Sequence, residues 1–513
     1  MPIFADMVIT RAKIYDIYKD FFDVHESLAI YNGRILAVGS YSNIRDFIGP
    51  KTRILDLKNK ALMPAFIDAH THITDQALRN EFLDLSKFDE KRKLLSFLSE
   101  VAQKYPENQW IIGHSWDESK WKDDNTFPSL QELNDISRDH PIFLRRIDGH
   151  IAVLNDLAIR TLEIPEDAPG FLKDKNGKPM GIIKEQALEI ADRKLRKLTI
   201  NAVESLRKHL PKIVKLGISL VNEMSDPLVI SAVLKLMRSG NLSVSFMIYI
   251  FDEFADFFFR TGLIGPFGNV KVQINGIKAF ADGSFGARTA ALWEPYMDDP
   301  SNNGVIRIEK NYLETLIKKA DKSGFQMSIH AIGDRAIDFV LDAYKHAGIN
   351  PQNRHRIEHF ELAYDEHLKL AKKLGIIVSA QPNFIGQWQR PNGMYEKRLG
   401  HTRWKKLNPL KAILDEGLPL AFGSDCMPID PIFGLWSAVS HPVEDMRLTI
   451  LESIFCYTKG SAFASFQENL RGSIKEGYYA DLVVVSKPIE ALNVNNIRNL
   501  DILGTIIQGH IFY

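Results

Sequence analysis

The chain has 513 residues, of which 45% are hydrophobic and 25% charged. That is the mix of a globular protein, so disordered and fibrous classes are excluded. Lys plus Arg equals Asp plus Glu at 64 each. The basic excess that marks nucleic-acid or acidic-membrane binding is therefore absent, and neither partner is expected.

Length gives a prior of roughly three domains, although a barrel commonly runs to about 250 residues as one unit. The two cysteines, Cys426 and Cys456, are too few for a disulfide framework or a thiolate cluster. The N-terminus lacks the pattern of a signal peptide, and no apolar run approaches the ~20 residues that span a bilayer. The expected setting is cytoplasmic.

In chain order, MVITRAKIYDI, ESLAIYNGRILAVGS and RILDLKN read as short strands, with a turn signal at Asn32-Gly33. The last fifty residues look alike, in GSIKEGYYADLVVVS and ILGTIIQGHIFY. One small β-sandwich domain built from residues 1–60 and 463–513 is predicted. Between them, short apolar runs alternate with amphipathic stretches, the βαβα pattern of a parallel sheet. Eight strands are predicted, at 61–69, 217–224, 244–251, 272–280, 325–331, 354–360, 375–382 and 418–425. The fold class is therefore α/β, a (β/α)8 TIM barrel over 61–462. The long gap after the first strand is too structured to be a loop. It contains the helical patterns KRKLLSFLSEVAQKY and AVESLRKHLPKIVKLG and the strand-like QWIIGH and PIFLRRIDGH. An inserted subdomain at about 75–212, over the barrel mouth, is expected.

Chemistry concentrates at the strand ends. Asp68-Ala69-His70-Thr71-His72 follows an apolar run. Residues i and i+2 of a strand point the same way, so His70 and His72 project together as a pair of metal ligands. Alone, H-x-H is equally two surface histidines. His330, His359 and Asp425 end the fifth, sixth and eighth predicted strands. Each has a bland alternative, a core histidine or a strand-end cap. Their joint position at the end where barrels keep their chemistry favours a metal site.

These stretches, with WIIGHSWDESKW, PIFLRRIDGHIAVLN, MGIIKEQAL, IKAFADGSFGARTAAL, MSIHAIGDRAID, RHRIEHFEL, VSAQPNF and FGSDCMPIDP, resemble the amidohydrolase superfamily. More narrowly, they resemble its amidohydrolase-3, YtcJ-like family, over nearly the whole chain. The resemblance implies a divalent metal, zinc first among candidates, with one or two ions per subunit on His70, His72, His330, His359 and Asp425. It implies that Lys278 is carboxylated and bridges two metals; a salt-bridged Lys278, with Asp282 as partner, is the alternative. Glu185 matches a position often acidic in the family and is a metal or active-site carboxylate. Hydroxide generated on the metal would attack, with Asp425 accepting the water proton and returning it to the leaving nitrogen. His150 is the candidate oxyanion group. His114, Trp116, Arg146, Asp148, Arg288 and Gln381 are candidate substrate contacts, with Asp334 at the mouth or behind it and Asp282 and Glu358 orienting ligands. Core packing is the alternative for Trp116, and pairing with Asp148 or Asp117 for Arg146.

The resemblance implies hydrolysis of a non-peptide carbon–nitrogen bond in an amide, cyclic amide or formamide-like small molecule. A heterocycle deaminase using the same site is the alternative, and a non-catalytic relative the third reading. It leaves a homodimer open.

Overall fold

A computed structural model describes residues 3–79, 81–147, 149, 151–199 and 201–513. The chain divides into two compact units, Met1–Ile73 with Arg207–Tyr513, and Thr74–Leu206.

In the first unit, eight parallel strands run in sequence order around one sheet. They are β1 (Phe66–Thr71), β2 (Ile218–Ser225), β3 (Ser245–Phe251), β4 (Val272–Phe280), β5 (Gln326–Ala331), β6 (Arg356–His359), β7 (Ile377–Ala380) and β8 (Leu420–Phe422). All eight match the predicted strands. They read as unbroken apolar runs because helices and barrel interior bury both faces. The helix Lys310–Lys322, before β5, shows how the outer layer is written. Its buried residues Leu313, Leu316, Ile317 and Ala320 recur at helical spacing.

The first predicted strand is two strands. Ala61–Pro64 pairs with Lys13–Ile17 and Leu482–Val485 in a six-stranded sheet, and only Phe66–Thr71 enters the barrel. One apolar run serves both sheets because both bury it on two sides. A second sheet of four strands uses the N-terminal residues alone. Ile9, Leu28, Ile30, Leu62, Leu482 and Ile506 form one core across the two sheets, which makes a β-sandwich.

The β4 strand also departs from simple alternation. Its register against β3 slips between Ile274 and Gly276. A Cβ on Gly276 would lie 1.9 Å from the Gln326 carbonyl oxygen, so only glycine permits that approach of β4 to β5. Lys278 is thus out of phase with Val272 and Ile274, with which simple alternation along the strand would group it.

The barrel closes between its first and last strands. The Asp425 amide donates to the His70 carbonyl at 2.8 Å, and the Ser424 amide to Asp68 Oδ1 at 2.9 Å. At Gly423 a Cβ would lie 2.4 Å from the His70 nitrogen and 2.9 Å from its Cα. Backbone cannot yield as a flexible side chain does. Gly423→Ala is expected to cost about 3 kcal/mol through overpacking and to lower the thermal unfolding midpoint. A variant as stable as the parent would contradict so tight a seam.

The second unit holds its own six-stranded sheet, which includes Ile111–Trp116 and Ile142–Arg146. Helix Lys91–Lys104 packs Leu94, Leu98 and Val101 into a core with Trp116, Leu133 and Leu144. Among the described residues, no helix is long and apolar enough to cross a membrane.

Candidate metal centre

His70 ends β1 fully buried, with Nδ1 2.6 Å from Glu358 Oε2. A carboxylate only accepts, so Nδ1 carries the proton and Nε2 presents its lone pair. His72 repeats the device, with Nδ1 2.9 Å from the Met224 carbonyl. The two Nε2 atoms lie 3.7 and 3.2 Å from Asp425 Oδ1. His359 completes the convergence, because ligand atoms of His70, His359 and Asp425 lie within 4.8 Å of one another. Lone pairs and a carboxylate facing one another repel, and a cation among them reverses the sign. Imidazole and carboxylate are also suitable donors for zinc and its neighbours. The donor set therefore fits a divalent metal.

Backbone geometry at two of these residues is unusual. His359 has φ of 72° and Asp425 of 50°, and each is followed by another left-handed residue, Phe360 and Cys426. Such conformations cost about 1–3 kcal/mol each and persist only where surrounding structure imposes them. Here they turn the side chain as each strand ends. Alternation would send Glu358 and His359 to opposite faces, yet both face His70, at 2.6 Å for the Glu358 carboxylate and 5.1 Å between rings for His359.

A buried charged layer supports the site. Arg356, fully buried, grips Glu358 with two hydrogen bonds, Nε to Oε1 at 2.7 Å and Nη2 to Oε2 at 2.9 Å. It also donates to the Ala69 carbonyl at 2.6 Å, Ser379 Oγ at 3.0 Å and Tyr249 Oη at 3.2 Å. Ser328 Oγ donates to Glu358 Oε1 at 2.7 Å. Burial alone would raise the Glu358 pKa, but the fields of Arg356 and His70 outweigh it and hold the carboxyl well below its ordinary range. Burial, aided by the Lys278 ammonium, pushes His70 down to about 4, which keeps its lone pair available at neutral pH. For Asp425, burial is again outweighed, by the positive charge that the adjacent His72 and His70 rings take up on protonation, and its carboxyl is held below the ordinary range.

Lys278 is fully buried, and its Nζ has no hydrogen-bond partner among the described residues. Burial lowers its pKa to about 8, against the opposing pull of Glu358 and Asp425. The alternative partner, Asp282, is occupied elsewhere. It accepts from the amides of Ala291, Ile332 and Gly333 at 2.9, 3.1 and 2.9 Å. His330 stands beside the converged group, with its ring 4.4 Å from that of His359. Its Nε2 is 3.0 Å from the Gly283 carbonyl and so carries the proton, which leaves Nδ1 as its acceptor.

Other predicted residues have different surroundings. Arg288 is held by two hydrogen bonds to Asp298, at 3.1 and 2.9 Å. Asp334 accepts from the Trp293 amide at 3.1 Å. Gln381 is buried, and its Oε1 has no partner among the described residues. In the inserted unit, His114 and Arg146 line a cavity of about 180 Å³ with Leu78, Phe82 and Phe143. Arg146 Nε and Nη2 donate to Glu118 at 2.9 and 2.7 Å, while its expected pairing with Asp148 lies outside the described residues. Trp116, expected at the substrate, is fully buried, donates to the Leu144 carbonyl at 3.1 Å and packs against Trp121 and Phe127. It is a core residue, because the strand turns it away from His114. Glu185 opens the helix Glu185–Thr199, while its side chain, and Asp148 and His150 entirely, lie outside the described residues.

Sequence reasoning passed over Arg356. Its signal was present, since Arg356 and Glu358 stand two apart on one strand and therefore share a face.

Comparison with known proteins agrees with this geometry. The model of the Amidohydrolase family matches residues 53–513. YtcJ of Bacillus subtilis (strain 168), assigned by name to the amidohydrolases, is 31% identical over 96% of each chain. The N-substituted formamide deformylase of Arthrobacter pascens is 26% identical over 100% of this chain and 99% of its own. The crystal structure of an uncharacterized metal-dependent hydrolase from Pyrococcus furiosus superposes with a TM-score of 0.82 at 30% identity, covering 94% of this chain and 99% of that one. The chain belongs to the Amidohydrolase family.

Proposed function

We propose that this protein hydrolyses a carbon–nitrogen bond other than a peptide bond, in an amide, cyclic amide or formamide-like small molecule, with a divalent metal held by His70, His72, His330, His359 and Asp425. The observation that carries the reading is the convergence of acceptors, the Nε2 atoms of His70 and His72 lying 3.7 and 3.2 Å from Asp425. Likeness to a formamide deformylase along the whole chain supports the amide side of the proposal.

A divalent ion bound there supplies a Lewis acid for the substrate carbonyl and makes water acidic enough to attack near neutral pH. The chain's own work is positional. Glu358 fixes the His70 tautomer and aims its Nε2. Asp425, kept ionised, takes the proton of the attacking water and returns it to the leaving nitrogen. Lys278 has an unpartnered buried Nζ. Carboxylation would replace a costly buried cation with an anionic ligand, and that is the role assigned to it.

A screen of N-acyl, formamide and cyclic amide libraries tests the reading. The expected result is turnover that chelation abolishes and zinc, manganese or cobalt restores. In Lys278→Met the metal content is expected to fall, because the anionic ligand proposed at this position is lost. A protein that binds none of these metals, or whose turnover survives chelation, would sink the proposal.

A further inference from the structure

The proposed ligands come from β1, β5, β6 and β8, and the strands β3 and β4 end differently. Phe251 is the last residue of β3 and Phe280 the last of β4. Residues in register on adjacent parallel strands share a face of the sheet. Phe280 pairs with His330, and Phe251 pairs with Lys278. That shared face is the barrel interior, because Tyr249, two residues before Phe251, meets Arg356 there. The ring contacts agree. Phe280 lies 5.5 Å from the His330 ring and 4.8 Å from Lys278 Nζ, and the two phenylalanine rings are 5.9 Å apart. Both phenylalanines are half-buried. Solvent also reaches the donors of this layer, since the side chains of His330, Asp425 and His72 are 12, 14 and 25% exposed. The floor of the barrel mouth is thus divided. Imidazoles and a carboxylate form one part of it, and two aromatic rings form another.

Apolar rings still in contact with water gain by being covered. An anion brought against them would lose its hydration and find no partner in the rings. A cation would be repelled by the divalent ion proposed beside them. An uncharged aromatic ring meets neither cost, and it gains the tilted or edge-on contacts that such rings favour. Building on the hydrolysis proposed above, we infer that the substrate carries an uncharged aromatic group on one side of its scissile carbon–nitrogen bond, and that Phe251 and Phe280 hold it. Their role is to select the substrate, and they take no part in the proton transfers.

The test is calorimetric titration of the metal-loaded protein with three hydroxamates that share one chelating group. Formohydroxamate has no substituent, benzohydroxamate carries a phenyl ring on carbon, and N-hydroxy-N-phenylformamide carries it on nitrogen. The last two decide on which side of the bond the ring sits. At least one of them is expected to bind about thirtyfold tighter than formohydroxamate, through partial burial of its ring. Phe280→Ala should cut that preference by about tenfold and leave formohydroxamate binding unchanged. Phe251→Leu keeps an apolar side chain and loses only the ring contact, so it should fold as the parent and cut the preference by about threefold. Equal affinity for all three probes, a preference that survives both substitutions, or a loss of formohydroxamate binding in step with the aromatic probes in Phe251→Leu would each overturn the inference and leave hydrolysis standing. A protein that binds none of the three would sink the metal centre and this inference with it.

Discussion

Asp425→Asn is expected to fold normally and to lose about a thousandfold in kcat, within the range contributed by a positioned acid–base group. The fold should survive because backbone, not carboxylate, anchors this residue. Its amide donates to the His70 carbonyl at 2.8 Å, and its φ of 50° is one that asparagine adopts with little penalty. What disappears is the negative charge facing His70 and His72. Asparagine can neither take a proton from water nor balance a divalent cation. Metal content and kcat, measured on one preparation with circular dichroism as the folding control, separate the two losses. A variant that keeps more than about a tenth of parental kcat at full metal content would show that the proton passes through another group.

Glu358→Gln should produce the largest combined loss of stability and metal affinity. Arg356 and Glu358 are both fully buried, so removing the carboxylate charge strands a guanidinium in the barrel core. Breaking such a pair from one side costs about 3–5 kcal/mol. The same substitution withdraws the group that fixes the His70 tautomer, and loss of an orienting partner typically weakens metal binding by about 10–100-fold. Denaturant unfolding reports the first effect and chelator competition the second. If both the unfolding midpoint and the metal affinity matched the parent, the charged layer beneath the site would be ornamental.

The fold and the centre of the site were legible for the same reason. Strands of a parallel barrel are buried on both sides, so they appear as apolar runs, and the groups that do chemistry sit where those runs stop. His70, His72, His330, His359 and Asp425 could be placed by that rule alone. Legibility failed wherever a role depended on a departure from regular geometry or on a partner far away in sequence. Nothing local announces that Ala61–Pro64 belongs to a different sheet from Phe66–Thr71, because both are apolar and strand-forming. Simple alternation would mis-phase Lys278, since the register slip near Gly276 goes with its close approach to the Gln326 backbone. It also divided Glu358 from His359, which a left-handed φ reunites. Arg146 and Trp116 look like ligand-binding residues in a list of motifs. Trp116 was drawn into the core by a cluster of aromatic neighbours, and Arg146 took Glu118 as a partner, neither of which spacing reveals.

The seam of the barrel carries a consequence for the life of the molecule. Ser424 and Asp68, joined at 2.9 Å where the sheet closes, are 356 positions apart. Both neighbour proposed metal ligands, so the donors that meet in the finished protein are made early and late in synthesis. On the proposed ligand set, a nascent chain on the ribosome has the histidines but not the complete site until its last barrel strand emerges. The proposed activity would thereby be tied to completion of the barrel.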